Sequence, residues 1–125
     1  MPVSINIMNV VTGIDIVNIG RFKKVLETSG KPFLKRIFLE NEYFHKQPEH
    51  LAGIFAAKEA VKKAFDITEE VWRQIEVGKS DSGKPGIILN LDLQLEIVST
   101  DVSISHDGDY VIAIFIALIQ SKNSK

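Results

Sequence analysis

From Asn9 to Val17 the chain alternates, with Val10, Thr12, Ile14 and Ile16 on one set of positions and Val11, Gly13, Asp15 and Val17 on the other. A period of two carried by β-branched residues predicts a strand. The spacing then lengthens. Ile19, Phe22, Val25 and Leu26 fall on one face of an amphipathic helix that Gly30 and Pro32 bring to an end. Pro32 can open a second helix carrying Phe33, Leu34, Ile37 and Phe38. The polar stretch 40–49, with Pro48 near its end, leads into a third helix from about Glu49 to Phe65.

The second half is β-like. Ile75 to Lys79 predicts a short strand, 81–85 (Asp-Ser-Gly-Lys-Pro) a turn, and Gly86 to Leu89 a returning strand. Leu91 to Val98 is ambiguous, because its apolar positions alternate while Leu, Gln and Glu favour helix. Asp101 to His106, the turn 107–109 and Tyr110 to Ile119 predict a hairpin. The sum is an α+β fold with helices packed on a mostly antiparallel sheet, one domain over residues 1–119 followed by a polar tail over 120–125 that looks disordered.

Composition narrows the function classes. With 15 Lys and Arg against 16 Asp and Glu, the chain lacks the broad basic excess of a dedicated nucleic-acid binder. Locally the balance differs: between Asn18 and Arg36 six basic residues (Arg21, Lys23, Lys24, Lys31, Lys35 and Arg36) face one acid, Glu27. Such a basic helix is either a solvated face or a surface for an acidic or phosphate-bearing partner. The absence of cysteine excludes disulfides, thiolate metal sites and a cysteine nucleophile, and is compatible with a reducing compartment. The longest apolar run, Val111 to Ile119, is too short to cross a bilayer, and the absence of a basic region followed by an apolar core near the N-terminus gives no expectation of a secretory signal. A cytoplasmic location without membrane attachment is the expectation.

A few residues stand out as candidates for chemistry. Asp15 is an acid in the middle of an apolar strand, so it either meets solvent or is held by a partner. In the third helix Ala52, Gly53, Ala56, Ala57, Ala60 and Ala64 make nearly every side small, which marks a buried helix. Lys58, Glu59, Lys62 and Lys63 interrupt it, and Lys58 and Lys62 project into the apolar side, where a charge needs a partner. An intrahelical Glu59–Lys63 pair is the plainest account of those two charges. His106 closes a strand in which Ser103 and Ser105 share a side, a pattern that also fits ordinary sheet-surface residues. There is no serine elbow, Walker loop, dinucleotide fingerprint or histidine pair at zinc spacing. A metal here would be a hard, oxygen-bound ion such as Mg²⁺.

Taken in order, five segments resemble the holo-acyl-carrier-protein synthase family of phosphopantetheinyl transferases. They are Gly13-Ile14-Asp15-Ile16, Phe38 with Glu42, the helix from Phe55-Ala56-Ala57-Lys58-Glu59-Ala60 to Lys63-Ala64-Phe65, Gly83-Lys84-Pro85, and Ser103-Ile104-Ser105-His106. The resemblance spans Thr12 to Leu118 and implies the phosphopantetheinyl transferase-like fold. It implies that the phosphopantetheine arm of coenzyme A is transferred to a serine of an apo acyl carrier protein, with release of adenosine 3′,5′-bisphosphate. By the same resemblance Asp15 and Glu59 hold Mg²⁺ and Lys63 reaches the phosphates. Gly83, Pro85, Ser103, Ser105 and His106 surround the adenosine phosphate end. Arg21, with Lys24, grips the acidic carrier. The serine proton passes to Glu59 or to a metal-bound water. Short members of the family form homotrimers with active sites between subunits. This chain departs from the pattern in three places. Leu39 stands where Ser or Thr is common, and Ile54 where a basic residue is common. Phe65 runs directly into Asp66-Ile67-Thr68, without the usual glycine-rich loop. A non-catalytic homologue that binds coenzyme A or a carrier protein is the alternative reading.

Overall fold

The computed structural model describes residues 7–121. Its elements run β1 (Met8–Asn18), α1 (Ile19–Ile37), α2 (Glu40–Tyr43), α3 (Pro48–Ala64), a 3₁₀ turn (Trp72–Gln74), β2 (Ile75–Lys79), β3 (Pro85–Leu89), β4 (Leu95–Asp107) and β5 (Tyr110–Ser121). The expected α+β architecture is present, with every strand pair antiparallel. The strands form two sheets rather than one: β1-β5-β4 in that order, and a separate β2-β3 hairpin.

Helix α1 begins where the Asn18 side chain accepts the Arg21 backbone N–H at 2.9 Å, an N-cap that satisfies one of the free donors of the first turn. At Gly30 the backbone leaves helical geometry (φ 59°, ψ −142°), and the segment that follows contains Pro32. The left-handed φ costs glycine little, which is why the break falls there. The two predicted helices are therefore halves of one kinked element.

The core lies between α3 and the three-stranded sheet. Ala52, Ala56, Ala57, Ala60 and Val61 of α3 are fully buried, against Val111, Ala113, Phe115 and Ala117 of β5 and Val102 of β4. Small side chains let the helix descend close to the strands. Closest of all is Gly13: a Cβ built there would sit 1.8 Å from the Ala60 carbonyl oxygen. Phe22, Phe33, Phe38, Phe55 and Trp72 form an aromatic cluster that seats α1 on the other side of α3.

The register divides β1 into two faces. Gly13, Asp15 and Val17 lie opposite Phe115, Ala113 and Val111 and turn toward α3, whereas Ile14 and Ile16 lie opposite Ile114 and Ile112 and turn away from it. The outward face is left apolar: Ile14 is 58% exposed and Ile114 45%.

Two boundaries differ from the sequence reading. Gln120 and Ser121, assigned to a disordered tail, continue β5, where they pair with Met8, Glu96 and Leu95. The pairing of two neighbouring strands extends the element past the last apolar residue, and residues 122–125 lie outside the described residues. In the ambiguous segment 91–98 the strand begins at Leu95, after a turn in which Gln94 takes a left-handed φ of 59° and donates its N–H to Asp92 Oδ1. Among the described residues no helix is long and apolar enough to cross a membrane.

Candidate active site

Strand β1 presents Asp15 to the last turns of α3. Lys63 donates from Nζ to Asp15 Oδ1 at 3.0 Å and to the Ile14 carbonyl at 3.1 Å. One helical turn earlier Glu59 comes to the same place, and Asp15, Glu59 and Arg21 together line a cleft of about 310 Å³ floored by Phe22, Phe33 and Phe55. The pairing differs from the intrahelical one. Lys63 takes Asp15 as its ion-pair partner, and Glu59 has none among the described residues. Lys63 is half exposed, so the bridge is worth about 1 kcal/mol at most.

Burial raises the Glu59 carboxyl above its ordinary pKa, and the neighbouring charge of Asp15 adds to the rise, against a smaller pull from Lys62 and Lys63. Two carboxylates on one wall, with the ionised form of one disfavoured, are a donor set that a divalent cation would relieve. No group of three or more His, Cys, Asp or Glu suited to a metal occurs among the described residues. Asp15 and Glu59 are the two carboxylates that line this cleft.

A second, larger cleft of about 630 Å³ opens between α2, α3 and the β2-β3 hairpin; Pro85 and His106 line it, with Lys46, His50, Ile54 and Lys79. Neither Lys46 nor Lys79 has an ion-pair partner among the described residues. Burial lowers the His50 pKa, and Lys46 and Lys79 depress it further, so the imidazole favours its neutral form.

The structure thus gathers Asp15, Glu59, Lys63 and Arg21 at one wall and Pro85 and His106 at another. Gly83 sits in the hairpin turn with φ 87° and lines neither cleft. Ser103 and Ser105 stand opposite Ile114 and Ile112, on the sheet face turned away from α3. Lys24 is exposed on α1. Sequence reading singled out neither Lys46, His50 nor Lys79, because they come from a loop, a helix start and a strand end that share no period. It also left Lys58 without a partner. That partner is Glu42, 2.7 Å away, with both side chains fully buried.

Comparisons with known proteins identify the family. The family model of the 4′-phosphopantetheinyl transferase superfamily matches residues 12–115. The chain is 36% identical over 123 residues to the holo-[acyl-carrier-protein] synthase of Caldanaerobacter subterraneus subsp. tengcongensis, covering 89% of this chain and 96% of that one. Among solved structures it is similar to the holo-[acyl-carrier-protein] synthase of Helicobacter pylori in complex with coenzyme A (TM-score 0.76, 30% identity, 85% of this chain and 98% of that one). It is also similar to an ACPS–CoA complex from Chronobacterium ammoniagenes (TM-score 0.77, 30% identity, 92% and 99%). With a family match across most of its length and relatives above 30% identity over nearly their full chains, the protein belongs to the 4′-phosphopantetheinyl transferase superfamily.

Proposed function

We propose that the chain is a holo-[acyl-carrier-protein] synthase that transfers 4′-phosphopantetheine from coenzyme A to a serine of an apo acyl carrier protein. The observation that carries the reading is the meeting of Asp15 and Glu59 at one cleft wall, with Lys63 bonded to Asp15. In the reaction the serine Oγ forms a bond to the phosphorus that bears pantetheine. The bond from that phosphorus to the bridging oxygen breaks, and adenosine 3′,5′-bisphosphate leaves with the electron pair. The serine proton goes to a base at the site.

Such a transfer needs positioning and neutralised charge more than covalent help from the protein. Lys63, half exposed above Asp15, supports a role as the cation that meets the coenzyme phosphates. Asp15 and Glu59 would hold Mg²⁺, whose chemistry when bound is to neutralise charge on the phosphoryl oxygens. Arg21 at the mouth of the cleft and Lys24 beside it on α1 offer positive charge to an acidic carrier protein.

The homotrimer is part of the proposal. The outward sheet face, with Ile14, Ile16, Ile112, Ile114 and Ile116 all at least 40% exposed, supports burial against further copies of this chain. Because Pro85 and His106 line a different cleft from Asp15 and Glu59, a coenzyme held between two subunits could use one wall from each. A cytoplasmic location goes with this reading.

The test is direct. The protein is incubated with an apo acyl carrier protein, coenzyme A and Mg²⁺, and the carrier is weighed by mass spectrometry. A mass gain of one phosphopantetheine is expected. A carrier that stays unmodified, across several carrier proteins, rejects the proposal.

A further inference from the structure

Glu42 and Lys58 take no part in the reaction outlined above, yet they are the two buried charged residues among those described. Lys58 Nζ lies 2.7 Å from Glu42 Oε1, 3.0 Å from the Ile37 carbonyl oxygen and 2.8 Å from that of Trp72. Those three acceptors use all three ammonium protons. Glu42 is equally occupied: Oε1 also accepts the Leu39 N–H at 2.8 Å, and Oε2 accepts the Val77 N–H at 2.8 Å. One ion pair therefore joins the end of α1, the entry to α2, α3, the 3₁₀ turn and β2.

Stability alone does not account for such a pair. Removing two charges from water costs about as much as their attraction returns, and apolar residues of similar volume often serve as well. What apolar residues cannot supply is direction. The β2-β3 hairpin shares no strand pairing with the main sheet, and an isolated two-stranded hairpin is marginal in water. The Val77 N–H points away from β3, and its acceptor is the Glu42 carboxylate. Val77, Gly78, Lys79 and Pro85 of this hairpin form one wall of the larger cleft. Helix α3, which carries Lys58, forms another wall and also brings Glu59 and Lys63 to Asp15.

We propose that Glu42 and Lys58 are positioning residues for the coenzyme: their buried pair fixes the hairpin wall of the larger cleft against α3 at the spacing the adenosine phosphate end requires. The inference rests on the reading above, in which that end of coenzyme A occupies this cleft.

The test replaces both charges together, Glu42→Leu with Lys58→Met, so that neither is left buried alone. The double variant is expected to melt cooperatively like the parent. Its KM and calorimetric Kd for coenzyme A are expected to rise about tenfold, and kcat to change much less, because a displaced wall misplaces the coenzyme rather than the reacting oxygens. Hydrogen exchange at the Val77 amide should quicken by a similar factor. A folded variant whose KM and Kd match the parent overturns the proposal, as does an equal loss of kcat and binding in step with the unfolded fraction. If the variant does not fold, the parent protein decides: a Val77 amide that exchanges as fast as exposed amides overturns the proposal, and a protected one supports it. A parent that binds coenzyme A but loads no carrier rejects the reaction, while the Kd and exchange measurements still judge the wall.

Discussion

Lys63 and Asp15, 48 residues apart in sequence, meet with Nζ 3.0 Å from Oδ1, and that ion pair closes the last turn of α3 onto the middle of β1. It places a half-exposed ammonium beside a mostly buried carboxylate, so the cation is free to face a ligand while the anion is held in place. Glu59 stands beside them without an ion-pair partner among the described residues, its carboxyl pushed toward the protonated form. Metal, phosphate and acid–base chemistry would all converge on this corner.

Asp15→Asn and Glu59→Gln are each expected to reduce transfer about 100-fold or more while leaving the melting temperature within a few degrees of the parent. A readout apart from activity is the binding of Mn²⁺ in place of Mg²⁺, followed by electron paramagnetic resonance. Each variant should lose it. In the cation-free protein, Asp15→Asn should also move the Glu59 carboxyl back toward its ordinary value of 4.5, because one of the two causes raising it is gone. Unchanged Mn²⁺ binding in both variants would discredit the metal site.

Gly13→Ala tests the close approach of β1 to α3. The new methyl would meet the Ala60 carbonyl oxygen at 1.8 Å and the Ala64 nitrogen at 2.8 Å, both backbone atoms that cannot swing aside. The expected cost is about 3 kcal/mol, the upper end of overpacking, and the Asp15–Lys63 ion pair should break as the strand lifts. Chemical denaturation measures it. A variant as stable as the parent would mean that helix and strand are loosely seated on one another.

Ile114→Glu places a charge at the centre of the outward sheet face, directly opposite Ile14. If that face is covered by other copies of the chain, analytical ultracentrifugation should find the parent as a trimer and the variant as a monomer. Transfer should fall with the trimer, since the two clefts would no longer face one another. A parent that sediments as a monomer refutes the assembly.

The pH dependence expected from His50 follows from its sign. Its folded pKa lies below the ordinary 6.5, so the unfolded chain binds more protons in the interval between the two values. Its neutral form contributes fully above about 6.5, and stability falls as the pH drops through that interval toward the folded value. His50→Gln should flatten this part of the stability profile. Lys46→Met should raise the His50 pKa, read from imidazole chemical shifts, since Lys46 is the larger of the two charges depressing it. No change in those shifts would show that the two side chains do not sense each other.

Much of the fold is legible in the sequence. The alternation in β1, the small-sided α3 and the Gly30 break follow from local rules, and local rules need only neighbours along the chain. The five segments of the family resemblance, taken together, carry the family and the expectation that Asp15, Glu59 and Lys63 act together. The sequence also poses a problem it cannot solve, a lysine on the apolar side of a helix, because the partner, Glu42, lies 16 residues back in a short helix with no period of its own.

Other features are decided by the tertiary structure alone. Which face of β1 is inward cannot be read from hydropathy, for the more apolar set, Ile14 and Ile16, turns outward and Gly13 and Asp15 turn in. The reason is steric and electrostatic. Only glycine admits the Ala60 carbonyl at that distance, and only the inward position brings a carboxylate to Lys63. The β4-β5 register carries Ser103 and Ser105 to the outer face and turns His106 the other way, into a separate cleft that Pro85 of the β2-β3 hairpin also lines. Sequence determined the elements and the residue types that chemistry requires. Packing decided which of those residues meet, because a distance between remote side chains is a property of the assembled core and of no segment within it.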